Sequence, residues 1–443
     1  MQHKDYFKDK KITVLGLGLL GRGVGDVEFL AQSGANLIVT DLKPSTQLRP
    51  SLQKLRKFKN IKYVLGKHRL EDFKGRDMIL KSASVPLDSP YIKEAKKNKI
   101  PVEMSAALVT RLSPAKIIGI TGTRGKSTVT QMIYEILQQG LSLLGVTPVA
   151  KIFLGGNVRG IATLPLLKKA KKGDIIVMEL DSWQLQGFGE SKISPHIAVF
   201  TNLLRDHMNY YKGSMSKYFQ DKANIYKYQK KGDYLIAGKE ITKKIKAKKI
   251  VPKALPNPPA GGWKLKIAGE HNRENAALAL EAAKKVGVSE RVVKKVLENF
   301  KSVEGRLEYM KTVKGVKIYN DNNATTPDAT IMALKALGSK KKNIVLIMGG
   351  ADKGLDMIKL LKEIKKYCKT VVLLSGTGTD KLKTIWLSDS QIVDNLKDAV
   401  KLAIQESKKD DIILFSPAFA SFGLFKNEYD RNDQFVGIIK KLK

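Results

Sequence analysis

The sequence predicts an α/β protein of three domains, each a mainly parallel sheet covered by helices. Three observations carry this prediction. At 443 residues the chain is too long for one ordinary core and long enough for two or three. Short apolar runs alternate with helical patterns along its length, which is how parallel sheets with crossover helices read. Several of those runs stop at glycine-rich or polar turns, where such sheets place their ligands.

The first segment opens with Lys11–Leu15, a strand running into Gly16-Leu17-Gly18-Leu19-Leu20-Gly21. This is a G-x-G-x-x-G turn. A helical stretch follows, then the strand Asn36–Asp41, which ends in an acidic residue about 20 positions after the turn. That order defines a Rossmann-like domain for a nucleotide-type ligand, with NAD the default guess. Asp77–Ser82 and Ile100–Glu103 supply further strands, and the domain spans residues 1–104.

The second segment carries the strongest motif. Ile117–Ile120 reads as a strand, and Thr121-Gly122-Thr123-Arg124-Gly125-Lys126-Ser127-Thr128 as a turn into a helix. The apolar face of that helix holds Val129, Met132, Ile133, Ile136 and Leu137. Glycines let backbone N–H groups approach phosphates, and the helix N-terminus favours negative charge. Lys126 reaches the terminal phosphates in such a loop, and the Ser127 hydroxyl touches Mg²⁺. The loop is compact: Ile120 stands where the general P-loop pattern has its first glycine. We expect a central P-loop ATPase-type α/β domain at residues 105–301. Its other strands are Asp174–Glu179 and His196–Asn202, with a glycine turn at Gly155-Gly156-Asn157. Mg²⁺ needs hard oxygen ligands beyond Ser127, and Glu179 at a strand end is placed to be one; the bland alternative is an exposed carboxylate. His207 reads equally as a ligand, a hydrogen-bond donor or a packed loop residue. Pro252–Gly262 is a loop, and His271-Asn272 opens a helix over Glu274–Val286.

The third segment, residues 302–443, alternates again and predicts a second Rossmann-like domain. Its strands are Val316–Tyr319, Asn343–Met348, Thr370–Leu374 and Asp411–Phe415, with a helix at Asp328–Leu337. Small polar turns follow three of them: Asn320-Asp321, Gly349-Gly350-Ala351-Asp352-Lys353-Gly354 and Ser416-Pro417-Ala418-Phe419-Ala420-Ser421.

Composition narrows the function classes. One cysteine, Cys368, excludes an internal disulfide framework and fits a reducing compartment. The start of the chain is polar, and no apolar run approaches the length of a membrane span, so a cytoplasmic protein is expected. The net charge of +38 could favour nucleic acid, but the lysines are spread along the whole chain. The densest run, Lys239–Lys253, lacks the interleaved aromatics of a single-strand binder, so no nucleic-acid partner is expected. A nucleic-acid-dependent ATPase and a non-catalytic nucleotide scaffold remain as contrasting classes.

In order along nearly the whole chain, the motifs resemble those of the Mur ligase family, and most closely its D-glutamate-adding branch. Gly122–Thr128 is similar to the family's ATP loop, Gly155-Gly156-Asn157 to its muramoyl turn, and Glu179-Leu180-Asp181-Ser182-Trp183-Gln184-Leu185 to its Glu-Leu-Ser-Ser-Phe-Gln-Leu. Asp206-His207-Met208, His271-Asn272-x-x-Asn275 and Gly305-Arg306-Leu307-Glu308 match later blocks. Lys222, fifteen residues after His207, stands at the carbamylated lysine. Ser416-Pro417-Ala418-x-Ala420-Ser421-Phe422, with Phe425-Lys426-Asn427 and Arg431, resembles the block that separates this branch from its relatives.

The resemblance implies an ATP-dependent ligase of peptidoglycan precursor synthesis, joining D-glutamate to UDP-N-acetylmuramoyl-L-alanine through an acyl phosphate and a tetrahedral intermediate. It implies UDP in place of NAD in the first domain, with Gly18, Leu19, Leu20, Asp41, Ser82 and Asn157 on the UDP substrate. ATP falls to Gly122, Thr123, Arg124, Gly125, Lys126, Ser127, Thr128, Asn275, Arg306 and Asp321, and D-glutamate to Lys353, Ser421 and Phe422. Lys126, Glu179, His207 and Lys222 are the implied catalytic set. Two Mg²⁺ ions are implied on Ser127, Glu179, His207 and the Lys222 carbamate. A monomer is expected. The competing reading is a related amide ligase with another amino acid, or one acting on a folate. Departures from the family fall at Asp181 (usually Ser), Gly305 (often His), Asn322 (commonly Ser) and Asn323 (Lys in some members).

Overall fold

A computed structural model describes residues 3–19, 21–143, 150–257, 262–385 and 390–442. The expectation for Leu20 lies outside the described residues. The described chain forms three sheets, and by packing it divides into two compact units. The first comprises residues 1–254 and 275–296, the second residues 255–274 and 297–443.

The first unit holds two sheets. In the first, β1 (Lys11–Leu15), β2 (Asn36–Asp41), β3 (Ile61–Leu65), β4 (Met78–Lys81) and β5 (Val102–Glu103) lie in the order β3-β2-β1-β4-β5, all parallel. The order reverses at β1, so the glycine turn after it opens at the switch point of the sheet. Register sets Leu15 beside both Thr40 and Lys81, which leaves Asp41 and Ser82 flanking Gly16. A side chain on Gly16 (φ 94°) would come within 2.6 Å of Ser82 Oγ.

In the second sheet, β6 (Lys116–Thr121), β7 (Ile152–Gly156), β8 (Ile175–Glu179), β9 (Ile197–Phe200) and β10 (Tyr234–Ala237) run parallel in the order β10-β9-β6-β8-β7. The helix Lys126–Leu143 follows β6 directly. The glycine pair expected as a turn, Gly155-Gly156, ends β7. One buried cluster runs through both sheets and includes Ala106–Val109 of the helix Ser105–Leu112. Shared apolar burial is what makes the two sheets one unit.

The second unit contains a six-stranded sheet of order β11-β12-β16-β13-β14-β15. Its strands are β11 (Glu308–Val313), β12 (Val316–Asn320), β13 (Ile344–Gly349), β14 (Cys368–Leu374), β15 (Gln391–Val393) and β16 (Ile412–Phe415). Only β11 is antiparallel, a hairpin partner of β12. The central strands β13 and β16 are buried along their whole length, and cores lie on both faces of the sheet. Cys368, the only cysteine of the chain, is buried at the start of β14. The helix opened by His271-Asn272 starts at Glu270, so both residues lie within its first turn. The described part of the Pro/Gly-rich stretch 252–262 has no regular structure. No helix among the described residues is long and apolar enough to cross a membrane.

Candidate active site

The phosphate loop leaves β6 in the middle of its sheet, between β8 and β9. Register sets Ile120 opposite Glu179 and Thr121 opposite Phe200, so the turn, Glu179 and Thr201-Asn202 share one end of the sheet. The turn is held from the β9 side. Thr123 N donates to Asn202 O at 3.0 Å and Arg124 N to Asn202 Oδ1 at 2.9 Å. Thr201 Oγ1 donates to Arg124 O at 2.5 Å. Gly122 and Gly125 have φ of 143° and 82°, and a side chain on Gly125 would strike Asn275 Oδ1, 2.4 Å away. Asn275 therefore rests against the loop. Lys126 Nζ donates back to Gly122 O and Thr123 O, both at 3.1 Å. Ser127 and Thr128 begin the helix beside it.

Lys222 reaches the same turn from the helix Met215–Ala223. Its Nζ donates to Gly122 O at 2.8 Å and lies 4.8 Å from the centre of the Tyr218 ring. Lys222 is 1% exposed. Burial, then the nearby Lys126 cation, drive its pKa well below the ordinary lysine value, against the pull of Asp181 and Asp206. Burial thus weakens the charged form of this amine relative to an exposed lysine. Glu179 ends β8 buried, with Oε1 accepting from Asn157 Nδ2 at 3.2 Å. His207 has φ of 55°, packs on Trp183 with ring centres 4.9 Å apart, and lies 3.7 Å from Asp206 Oδ2. Asp206 also holds Arg124 Nη1 at 3.2 Å. Among the described residues no three His, Cys, Asp or Glu side chains form a metal cage by themselves.

At the glycine turn of the first sheet, Asp41 faces inward. Its Oδ2 accepts from Leu17 N and Gly18 N at 2.9 and 3.0 Å, and its Oδ1 from Lys43 N at 2.9 Å. The carboxylate thus shapes the turn. Leu19 projects into solvent. Ser82 Oγ lies 3.1 Å from Ser84 Oγ. Lys81, buried beneath, donates to Val85 O at 2.9 Å. Burial pushes its pKa down to about 8, opposed by Asp181, Asp221 and Glu190.

Sequence reasoning missed Arg22, which begins the helix after the glycine turn and donates from Nη1 to Asn157 Oδ1 at 2.6 Å. It also missed Asp26, Lys81 and Thr201. Single residues without spacing carry no pattern to find. Asp181 caps the helix Ser182–Glu190: its side chain accepts from Gln184 N, and Gln184 reaches back to Asp181 N. Serine caps equally well, so this departure keeps the local structure.

In the second unit three loops meet where their strands end. Asp321 Oδ1 accepts from Leu307 N at 3.0 Å and Oδ2 from Ser416 Oγ at 2.9 Å. Ala418 N donates to Ala324 O at 2.8 Å, and Ala351 and Ala420 exchange backbone bonds of 3.0 and 3.1 Å. Lys353 Nζ donates to Thr325 Oγ1 at 3.0 Å. Ser421 is buried, whereas Phe422 stands 64% exposed. Arg306 Nη1 approaches Asn323 O at 3.5 Å.

The departures in this unit have structural causes. Asn322 is fully buried and clasped by Arg431, whose Nε donates to its Oδ1 at 2.8 Å and whose Nη2 donates to its carbonyl at 2.9 Å. Burial pushes the Arg431 guanidinium down to about 10. Gly305 has φ of 68°, and a side chain there would meet Asn323 Nδ2 at 3.0 Å and Asn432 Oδ1 at 3.1 Å. With Asn323 in place, glycine suits position 305.

Comparison with known proteins agrees with this architecture throughout. The family described as "Mur ligase MurD-like, N-terminal domain" matches residues 10–103, "Mur ligase middle domain" residues 120–254, and "Mur ligase, glutamate ligase domain" residues 305–419. The chain is 35% identical to the UDP-N-acetylmuramoylalanine–D-glutamate ligase of Borreliella burgdorferi (strain ZS7), covering 99% of each chain. It is 33% identical to the Streptococcus mutans protein of the same name, covering 100% of each. Among solved structures, the fold matches UDP-N-acetylmuramate-alanine ligase from Thermotoga maritima with a TM-score of 0.62, at 20% identity and over 98% of this chain and 100% of that one. The chain belongs to the Mur ligase family.

Proposed function

We propose that the protein is the ligase that adds D-glutamate to UDP-N-acetylmuramoyl-L-alanine at the expense of ATP, in peptidoglycan precursor synthesis. The observation that carries this reading is similarity from end to end with proteins named for that reaction. The functional domains are residues 1–104 for the UDP substrate, 105–301 for ATP and 302–443 for the amino acid.

In this reading Gly18, Leu19, Leu20 and Ser82 receive the UDP portion on a turn that Asp41 shapes, and Asn157 meets the muramoyl group. Gly122–Thr128 cradle the ATP phosphates, with Asn275, Arg306 and Asp321 serving the nucleotide. Lys126 leaves its loop carbonyls to meet the terminal phosphates. The alanyl carboxylate oxygen takes the γ-phosphoryl group, releasing ADP. The amine of D-glutamate, held by Lys353, Ser421 and Phe422, then attacks the acyl carbon and gives up a proton, and phosphate leaves.

Mg²⁺ would neutralise charge on the transferring phosphoryl group. Ser127, Glu179 and His207 are the residues to hold it, up to two ions. Three such side chains are a thin donor set, and Lys222 fits the gap. Carbon dioxide combines with a neutral amine, and burial weakens the charged form of this one. The resulting carbamate offers two oxygens to a hard cation. The protein would act as a cytoplasmic monomer.

The test is ADP release with UDP-N-acetylmuramoyl-L-alanine, with and without D-glutamate. Release should require both, and L-glutamate should substitute poorly. Equal rates with the two enantiomers, or release with neither, would overturn the proposal. A panel of other amino acids separates it from a related ligase with another acceptor.

A further inference from the structure

We infer that Arg22 is a positioning residue for Glu179, acting through Asn157. The inference rests on the proposed role of Glu179 beside the nucleotide and its metal. Arg22 is the first residue of the helix Arg22–Gln32, directly after Gly21 of the glycine turn. Its Nη1 donates to Asn157 Oδ1 at 2.6 Å. A guanidinium can only donate, so the carboxamide must turn its oxygen toward Arg22. The amide nitrogen then faces Glu179 and donates to Oε1 at 3.2 Å.

The backbone fixes the rest. Asn157 N donates to Glu179 O at 2.7 Å, and Gly156 pairs with Glu179 in the sheet. Only the carboxamide orientation is left to choose. Its flipped form sets oxygen against the Glu179 carboxylate, acceptor against acceptor, and Arg22 removes that form with a charge-assisted bond.

The anchor is itself secured. Asp26, one turn along the same helix, accepts from Leu164 N at 2.8 Å and from Ser105 Oγ at 2.5 Å. The helix therefore grips the segment 157–164 at both ends. Three side chains join the turn assigned to the UDP substrate to the strand end assigned to the metal. Glu179 is thus aimed by the module that binds the other substrate.

Mn²⁺ binding in the presence of a non-hydrolysable ATP analogue tests this. It is read from the free-ion electron paramagnetic resonance signal, with the full chain. Arg22→Met should weaken Mn²⁺ binding about tenfold, the lower range for losing a partner of a metal ligand. Arg22→Lys, which keeps one charged donor, should recover part of it. In an Asn157→Ala background, Arg22→Met should have no further effect. Should Arg22→Met fail to fold by thermal melting, Arg22→Gln, with a shorter donor, takes its place in the cycle. Unchanged Mn²⁺ affinity without Arg22, or losses that simply multiply in the double variant, would overturn the inference. A parent chain that binds Mn²⁺ with the expected dependence on Arg22 but fails to join D-glutamate would overturn the functional reading alone. A parent that binds no Mn²⁺ beside the nucleotide would overturn this one.

Discussion

Lys126 and Lys222 both contact the carbonyl of Gly122, yet they do different work. Lys126 sits at the start of a helix among exchangeable loop contacts, ready to follow a phosphate. Removing a cation aimed at developing phosphoryl charge should cost on the order of 10²–10³ in rate. Lys126→Ala should therefore nearly abolish ADP release while UDP-substrate binding, measured by calorimetry, persists. At position 222, arginine would stay cationic and cannot take up CO₂ near neutral pH, so Lys222→Arg should be inactive. Lys222→Ala should be inactive too, with partial rescue by a small carboxylic acid. Full activity of Lys222→Arg would remove the carbamate from the mechanism. Loop residues such as Lys126 were legible because glycine, lysine and hydroxyl must be contiguous to wrap a phosphate. Arg22, Asp26 and the Asn322–Arg431 clasp were not, since these partners lie 79 to 138 positions away along the chain and meet only once it has folded.

Among the strands, legibility followed burial. The apolar runs found in the sequence are β1, β2, β4, β5, β6, β8, β9, β12, β13, β14 and β16. Those missed, β3, β7, β10, β11 and β15, all lie at sheet edges. An inner strand is covered on both faces and reads as a continuous apolar run, whereas an edge strand carries mixed residues. The burial of β3, β11 and β15 is accordingly broken. At the same scale, Asp26 gives the helix Arg22–Gln32 a pH dependence. Burial raises its carboxyl from 3.8 to about 6, opposed by the bonds from Ser105 and Leu164. The folded form thus holds its proton more tightly than the unfolded form. The contribution of Asp26 is complete below pH about 4 and is lost as pH rises through about 6. Relative to Asp26→Asn, the parent should lose roughly 3 kcal/mol of stability across that window. Denaturation of both proteins at each pH checks this, and a difference independent of pH would refute it. Asp181→Ala should cost about 1 kcal/mol through its lost cap, and Asp181→Ser far less.

The whole molecule carries +38 charges and acts on anions, so encounter should be steered. Raising salt from about 0.01 to about 0.1 M shortens the screening length from about 30 to about 10 Å. Over that range kcat/KM for the UDP substrate should fall several-fold while kcat changes little. A flat salt profile would make the lysines a matter of solubility alone.

Cys368 turns the second unit into its own reporter. Burial pushes its thiol up to about 12, so at neutral pH almost no thiolate exists and little surface is open to a reagent. With no other sulfhydryl in the chain, a thiol-reactive dye will react only as fast as that unit opens. The labelling half-time is then a clock for local unfolding that needs no engineered probe. Amino-acid or nucleotide ligands that tighten this unit should lengthen it.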